Sequence, residues 1–459
     1  MLEITVSHCI EIPIRSVPDT LLHAVTQELT FENPAYVNAV RMDLAFYKLS
    51  PTLTYYEIDD ELLRLPRGFI RRLLQLCQEK SVTYVTIDRR LRCQKVAFRS
   101  SIQLRDYQRT AVEQMVKRGQ GGIVAPCGAG KTIIMLEAMA RIGQPTLWIT
   151  HTQDLAQQAV DCAVRVLDME EAEIGRIGGG KKTIGSRLTV ALIQSLKRMD
   201  LQELAQRFGA IFVDEAHHLA ADSFYNIVSQ FPALYRFWVS ATPDREDGLG
   251  GVVTAAGGPV LHEIGQFDVP VMIPQLEVIQ TKFSSNQQDY TKIIDDLMKS
   301  PERNQLVVQT VAQAMQPDSY GLVLSDRIEH LKLLLAGIRS ALPHLTVELL
   351  TGKMKKKDRD EILRRCRNKE VHVLLATQLA REGLDITHLN RLFLATPKRA
   401  QGAVQQEVGR IMRPADGKSE AVVYDFWDIR NPIIKAQFWK RREVYRKLGI
   451  VEKRQTKIQ

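Results

Sequence analysis

Two short stretches carry residue types whose spacing suits phosphate chemistry. The first is Ala125-Pro126-Cys127-Gly128-Ala129-Gly130-Lys131-Thr132, entered from the apolar run Ile123-Val124 and followed by a helical pattern. Glycines at 128 and 130 let backbone N–H groups turn inward onto phosphate oxygens, and the helix N-terminus behind them adds its positive dipole. Lys131 is placed for the β- and γ-phosphates of ATP and Thr132 for a Mg²⁺ ion, the arrangement of a P-loop. Pro126, Cys127 and Ala129 complete the cradle, while Ala125 stands where the general pattern has its first glycine. The second stretch, Asp214-Glu215-Ala216-His217, closes the apolar run Ile211-Phe212-Val213. There the first carboxylate can meet Mg²⁺, and the second can orient and deprotonate an attacking water. The chemistry expected of the pair is ATP hydrolysis.

Both stretches need strands to position them. From about 121 to 243, short apolar runs (122–125, 146–149, 188–193, 210–213, 237–239) alternate with helical patterns such as 132–142 and 154–167. That alternation predicts a parallel sheet covered on both faces. The pattern returns in the strand candidates 321–324, 347–350, 371–376, 392–394 and 422–424, with helix candidates 327–338, 358–367 and 400–408 between them. The expected fold class is therefore α/β: two tandem lobes with parallel sheets, over 101–275 and 276–459. Residues 1–100 read as a small N-terminal α+β accessory domain, with Pro13, Pro18, Pro34, Pro51 and one amphipathic helix over 69–79.

The 459 residues, 45% hydrophobic and 25% charged, have the balance of a globular chain too long for one core. No apolar stretch approaches the roughly 20 residues that span a bilayer, so a cytoplasmic or nucleoid location is expected, with no membrane partner. The formal charge of +9 favours a polyanionic partner. The six scattered cysteines form no C-x-x-C pair, and read as reduced thiols.

Over roughly 102–428 the motifs and their order resemble those of superfamily 2 helicases, whose two lobes are RecA-like. The resemblance implies an adenine-reading role for Gln108 in Leu104-Arg105-Asp106-Tyr107-Gln108. It places Thr152 and Gln153 of Thr150–Leu155, Gln194-Ser195, the Gly178–Lys182 region, and Thr351 and Gly352 after Leu350 on a nucleic-acid backbone. Ser240-Ala241-Thr242-Pro243 resembles the motif that couples nucleotide to strand. Ala376–Asp385 resembles motif V, which brings Thr377 to the strand and Gly383 and Asp385 to the nucleotide. Gln406-Glu407-Val408-Gly409-Arg410-Ile411-Met412-Arg413 fits Q-x-x-G-R-x-x-R. One helical turn separates Arg410 from Arg413, so both are expected on one face as arginine fingers for the γ-phosphate, with Gln406 beside them.

Arg245-Glu246-Asp247 resembles an element of XPB-type repair helicases, and Arg245 is expected at the nucleic acid. The leader and small N-terminal domain also suit phage UvsW-type helicases, and Gly409–Pro414 resembles restriction-enzyme motor subunits. These resemblances imply an ATP-dependent motor, expected to be monomeric. It would act on duplex, branched or single-stranded DNA, mainly through the phosphate backbone, in repair, recombination or replication. Two alternatives remain open: an RNA helicase, or a motor subunit working with a nuclease in trans. Weaker basic signals are Arg71-Arg72 and Arg89-Arg90, Lys353–Lys357 with Arg359, and the helical pattern 438–447, which is expected to pack on the second lobe.

Overall fold

The computed structural model describes residues 1–42, 45, 47–126, 128–216, 221–241, 248–265, 268–377, 386–397 and 401–452, apart from the side chains of 221, 356, 401–403 and 406. The chain forms two compact units, Met1–Gly265 and Gln266–Gln459.

The large sheet of the first unit runs Lys181–Lys182, Gly175–Gly178, Leu188–Leu192, Thr146–Thr150, Ala210–Val213, Tyr235–Ser240, Gln120–Val124, Val260–Glu263. Every pairing is parallel except the hairpin between the first two strands. Gln120–Val124, Thr146–Thr150 and Ala210–Val213 are buried along their whole length, as strands covered on both faces must be. That accounts for their unbroken apolar runs. In register, Ser240 stands beside Val124, Val213 beside Ile149 and Leu192 beside Thr150, so these strands end on one common edge.

Residues 1–88 form a five-stranded sheet, Glu57–Ile58, Leu62–Pro66, Cys9–Pro13, Leu2–Val6, Tyr84–Asp88, with the helices Asp19–Glu28 and Ile70–Glu79. This segment is packed onto the large sheet. Ala255 of the helix Gly250–Gly257 lies in its apolar core, and a Cβ on Gly68 would sit 2.4 Å from Ala255 O and Gly258 N. No side chain larger than hydrogen fits that approach.

The second unit holds a seven-stranded parallel sheet: Val347–Leu350, Val373–Ala376, Gly321–Leu324, Arg391–Leu394, Val422–Asp428, Gln275–Thr281, Val451–Glu452. Two parallel α/β units with a smaller α+β segment are the expected architecture. The strand Gln275–Thr281 pairs along its length with Val422–Asp428, and the division falls at 265/266, before the expected 275/276. That strand alternates polar and apolar residues, whereas Val422–Asp428 beside it is buried at every position but Trp427. The C-terminal helix Pro432–Lys447 buries Phe438, Val444 and Tyr445 against the second sheet and Ile434 against the helix Tyr290–Lys299, so it packs as expected. Among the described residues, no helix is long and apolar enough to cross a membrane. Among the described residues Cys9, Cys77, Cys93 and Cys366 are free thiols.

Candidate nucleotide and nucleic-acid site

The loop after Gln120–Val124 is anchored at both ends. Ala125 N–H donates to Ser240 O (2.9 Å), tying its start to the end of the adjacent strand, and Ala129 N–H donates to Pro126 O (3.2 Å). Gly128 and Gly130 have φ of +88° and +77°, the left-handed region where only glycine is unstrained. Lys131 and Thr132 then begin the helix Lys131–Ile142. Lys131 Nζ donates to Ala125 O (3.3 Å) and lies 3.2 Å from Glu215 Oε1.

Gln108 bridges this loop to the helix Asp106–Arg118. Its Oε1 accepts from Arg105 N–H (3.0 Å) and its Nε2 donates to Ala129 O (2.9 Å). A primary amide has two donors and two acceptor positions, so each end retains one for a base edge. A Cβ on Gly130 would meet Gln108 Nε2 at 2.6 Å, which explains glycine at the cradle's last turn.

Asp214 and Glu215 follow the buried strand Ala210–Val213, and Asp214 N–H donates to Ile149 O (2.9 Å). Burial first and Glu215 second push the Asp214 carboxyl well above the carboxylate range, while Lys131 pulls it back. Glu215 has φ +48°, unusual for a side chain with Cβ, and holds its carboxylate on Lys131. Two adjacent carboxyl groups, one of them buried, leave negative charge that a divalent cation would neutralise, and the cation would in turn favour the ionised Asp214. Mg²⁺ needs only one or two protein oxygens, with water and phosphate completing its shell. Thr132 and Asp214 are the residues that fit.

The residues expected at nucleic acid end neighbouring strands on the same edge. Thr152 caps the helix Gln153–Leu167, its Oγ1 accepting from Leu155 N–H (3.3 Å). Gln153 reaches the glycine turn, since a Cβ on Gly179 would lie 2.9 Å from Gln153 Nε2. Gly178, Gly179 and Gly180 all have positive φ, which presents exposed Lys181 and Lys182 on a tight hairpin. Gln194, exposed, and Ser195, half-buried, follow Leu188–Leu192 on a short helix.

In the second unit Leu350 and Ala376 are paired in register, so Thr351 and Thr377 leave adjacent strand ends, both largely buried, with Gly352 exposed. Arg410 lies on the helix Gln401–Ile411, but Arg413 lies beyond its last residue. The helical face expected to carry both arginines is thus shorter than their spacing. Sequence reasoning missed the group that holds this end. Lys418 Nζ donates to Ile411 O (2.6 Å), Arg413 O (2.8 Å) and Thr387 O (3.3 Å), capping the helix and fixing the turn that carries Arg413. Burial, and then Arg413, lower the Lys418 ammonium to about 8. The signal was a lysine soon after a helix end. Of the remaining expected residues, Cys127, His217, Arg245, Gly383, Asp385 and the Gln406 side chain lie outside the described residues.

The weaker basic pairs separate. Arg72 is held by Glu28 (2.7 Å) and Glu79 (2.8 Å), and Arg90 by Asp88 (2.7 Å), whereas Arg89 is exposed.

A phosphate loop and a carboxylate pair at the strand ends of one parallel sheet, followed by a second such sheet, define an ATP-hydrolysing motor fold. Residues 101–245 match the family described as type III restriction enzyme, res subunit, and residues 283–415 match the helicase conserved C-terminal domain. The chain belongs to the superfamily 2 helicases, enzymes that hydrolyse ATP and bind nucleic acid. A putative ATP-dependent RNA helicase of Acanthamoeba polyphaga mimivirus is 27% identical, over 75% of this chain and 68% of that protein. The DNA 3'-5' translocase XPB2 of Sulfurisphaera tokodaii is 24% identical, over 69% of this chain and 80% of that protein. Among solved structures, S. cerevisiae Dbp5 bound to RNA and ADP BeF3 shares the fold, with a TM-score of 0.57, 14% identity, and coverage of 76% of this chain and 89% of that one.

Proposed function

We propose that this enzyme is an ATP-driven DNA translocase, moving on duplex or branched DNA in repair, recombination or replication. The observation that carries the reading is the placement of two sets of groups on one sheet edge. Asp214 and Glu215 end the strand beside the one that leads to Thr152 and Gln153, with Gln194 after the next strand on one side and Lys131 two strands away on the other, all on the same sheet edge. Hydrolysis and strand contact then act on one rigid body. Likeness to the XPB2 translocase supports DNA as the track.

ATP is the substrate. Its phosphates settle on Gly128 to Thr132, and its adenine on the spare hydrogen-bonding positions of Gln108. Phosphate oxygens that draw Lys131 from Glu215 release that carboxylate to orient the attacking water. Thr132 and Asp214 would hold a Mg²⁺ ion, which would supply positive charge to the phosphates. Arg410 and Arg413 are assigned to the charge that grows on the γ-phosphate, with Lys418 as their positioning residue. Thr152, Gln153, Gln194, Ser195, Thr351, Gly352 and Thr377 hold backbone rather than bases, so movement is independent of sequence.

Displacement of a third strand from duplex DNA tests this reading. ATP-dependent displacement that Glu215→Gln abolishes is the expected result. Unwinding of RNA duplexes without triplex displacement would instead establish the RNA-helicase reading, which the mimivirus relative favours.

A further inference from the structure

Residues 89–101 join the N-terminal segment to the helix Asp106–Arg118 with no helix or strand of their own, yet they are fixed. Leu91 N–H donates to Pro232 O (2.8 Å), and Leu91 O accepts from Leu234 N–H (2.7 Å). Cys93 exchanges both backbone groups with the Gln144 amide (2.8 and 3.1 Å). Val96 N–H donates to Gly143 O (3.0 Å), and Ser101 N–H to Val166 O (2.9 Å). Pro232, Gly143 and Gln144 immediately precede the strands Tyr235–Ser240 and Thr146–Thr150. The segment is therefore a strap across the strand beginnings, on the sheet edge opposite the phosphate loop. A five-residue strand sets those two edges about 16 Å apart.

The strap's side chains are sorted. Leu91, Cys93, Val96 and Phe98 are partly buried, whereas Arg89, Arg92 and Lys95 are exposed at every third position. Among the described residues no carboxylate pairs with any of these three. The acids that lie along the strap are engaged by other groups: Asp88 by Arg90, Asp168 by Arg99, Glu137 by Ser100 and Arg141, and Glu173 by Arg187. At about 3.3 Å per extended residue the three cations span about 20 Å, the length of roughly six base-pair steps. A protein partner is ordinarily met by an apolar centre with a polar rim. Here the larger apolar side chains are turned inward, and the exposed face carries the cations with the small or neutral Gln94, Ala97 and Ser100 between and beyond them.

We propose that Arg89, Arg92 and Lys95 form a second nucleic-acid contact, gripping the phosphate backbone of a duplex arm on the far edge of the first unit from the ATP site. The proposal rests on the motor reading above. It adds a reason for the enzyme to discriminate between a single strand held at the motifs and a branched or long duplex that also reaches the strap.

The test compares the full-length enzyme with the triple variant Arg89→Glu, Arg92→Glu, Lys95→Glu, whose exposed changes leave the core untouched. Affinity for a forked duplex and for a short single strand is measured by anisotropy across a salt series. The expected result is weaker binding of the fork, with the slope of log K against log salt reduced by about two to three. Binding of the short strand and the ATPase rate it supports should stay at the parent level. Equal affinity and slope for the fork in parent and variant would overturn the proposal and leave the row to an acidic protein or to solvent. A parent enzyme unaffected by any nucleic acid would instead remove the motor reading, a failure visible before the variant is made.

Discussion

In the first unit Arg67 and Arg236 are fully buried where the N-terminal segment meets the large sheet, and both donate to neutral oxygens. Arg67 donates to Gln120 Oε1 (2.9 Å) and Ala233 O (2.6 Å), and Arg236 to Ala256 O (2.9 Å), Phe231 O (2.7 Å) and His8 O (3.2 Å). In the second unit Arg303 and Arg441 are as deeply buried, but each forks onto an aspartate of the strand Val422–Asp428. Arg303 meets Asp428 at 2.7 and 3.2 Å, and Arg441 meets Asp425 at 2.8 Å through both arms. Electrostatics follow the partners. Burial first, and the other guanidinium second, hold Arg67 well below the arginine range. Burial also pulls on Arg441, but Asp425 outweighs it and the net shift is upward. The second unit's arginines thus join helices to a strand as neutralised pairs. Those of the first unit read the backbone of two segments at once, and their geometry exists only while the N-terminal segment is docked.

The largest effect should come from splitting a neutralised pair. Asp425→Ala leaves Arg441 buried without its counter-charge and Tyr445 without its acceptor, at about 3–5 kcal/mol. Urea unfolding read through Trp427 and Trp439 should shift to lower denaturant, while Trp148 and Trp238 of the first unit should report no change. Equal shifts in both pairs would mean the units do not unfold separately.

The docked seam gives the next effect. Gly68→Ala drives a methyl into backbone 2.4 Å away, and overpacking of that kind costs about 1–3 kcal/mol. Limited proteolysis should release the N-terminal segment faster than in the parent. Arg67→Met removes an uncompensated charge instead and should change stability by less than about 1.5 kcal/mol. A cost for Arg67→Met as large as that for Asp425→Ala would erase the contrast between the two seams.

At neutral pH the smallest effect is that of a buried histidine, which shows only as the pH is lowered. His330 bridges Ser325 Oγ and Asn304 Oδ1, both at 2.9 Å, and burial with Arg303 nearby lowers it to about 3. The unfolded chain takes up this proton near 6.5, whereas the folded chain does not. Stability present above 6.5 is therefore lost as pH falls towards 3, by at most about 1.4 kcal/mol per pH unit. His330→Asn should flatten that slope in a pH series of unfolding curves.

Much of this arrangement was legible because local rules and the fold agree. Strands covered on both faces had to be largely apolar, so 122–125, 146–149 and 210–213 stood out beside the glycine-rich loop and the paired acids. The rest depended on partners distant in the chain. Arg236 lies inside a strand, and its burial is explained only by carbonyls of residues 8, 231 and 256. The strap has no periodicity of its own, since its hydrogen bonds are supplied by loops that open distant strands. Gln275–Thr281 alternates like a half-exposed strand, although the second sheet accepts it at full register. Arg413 looked helical by spacing, but the helix ends at Ile411, and Lys418 takes up that residue's carbonyl together with those of Arg413 and Thr387.

The central claim is tested most directly by ATPase rate without polymer, then with single-stranded DNA, duplex, a four-way junction and RNA of equal length, using Lys131→Ala as background. The account predicts strong stimulation by duplex and branched DNA, little by RNA, and none in the variant. Stimulation by RNA in preference to DNA, or by no polymer at all, would contradict it.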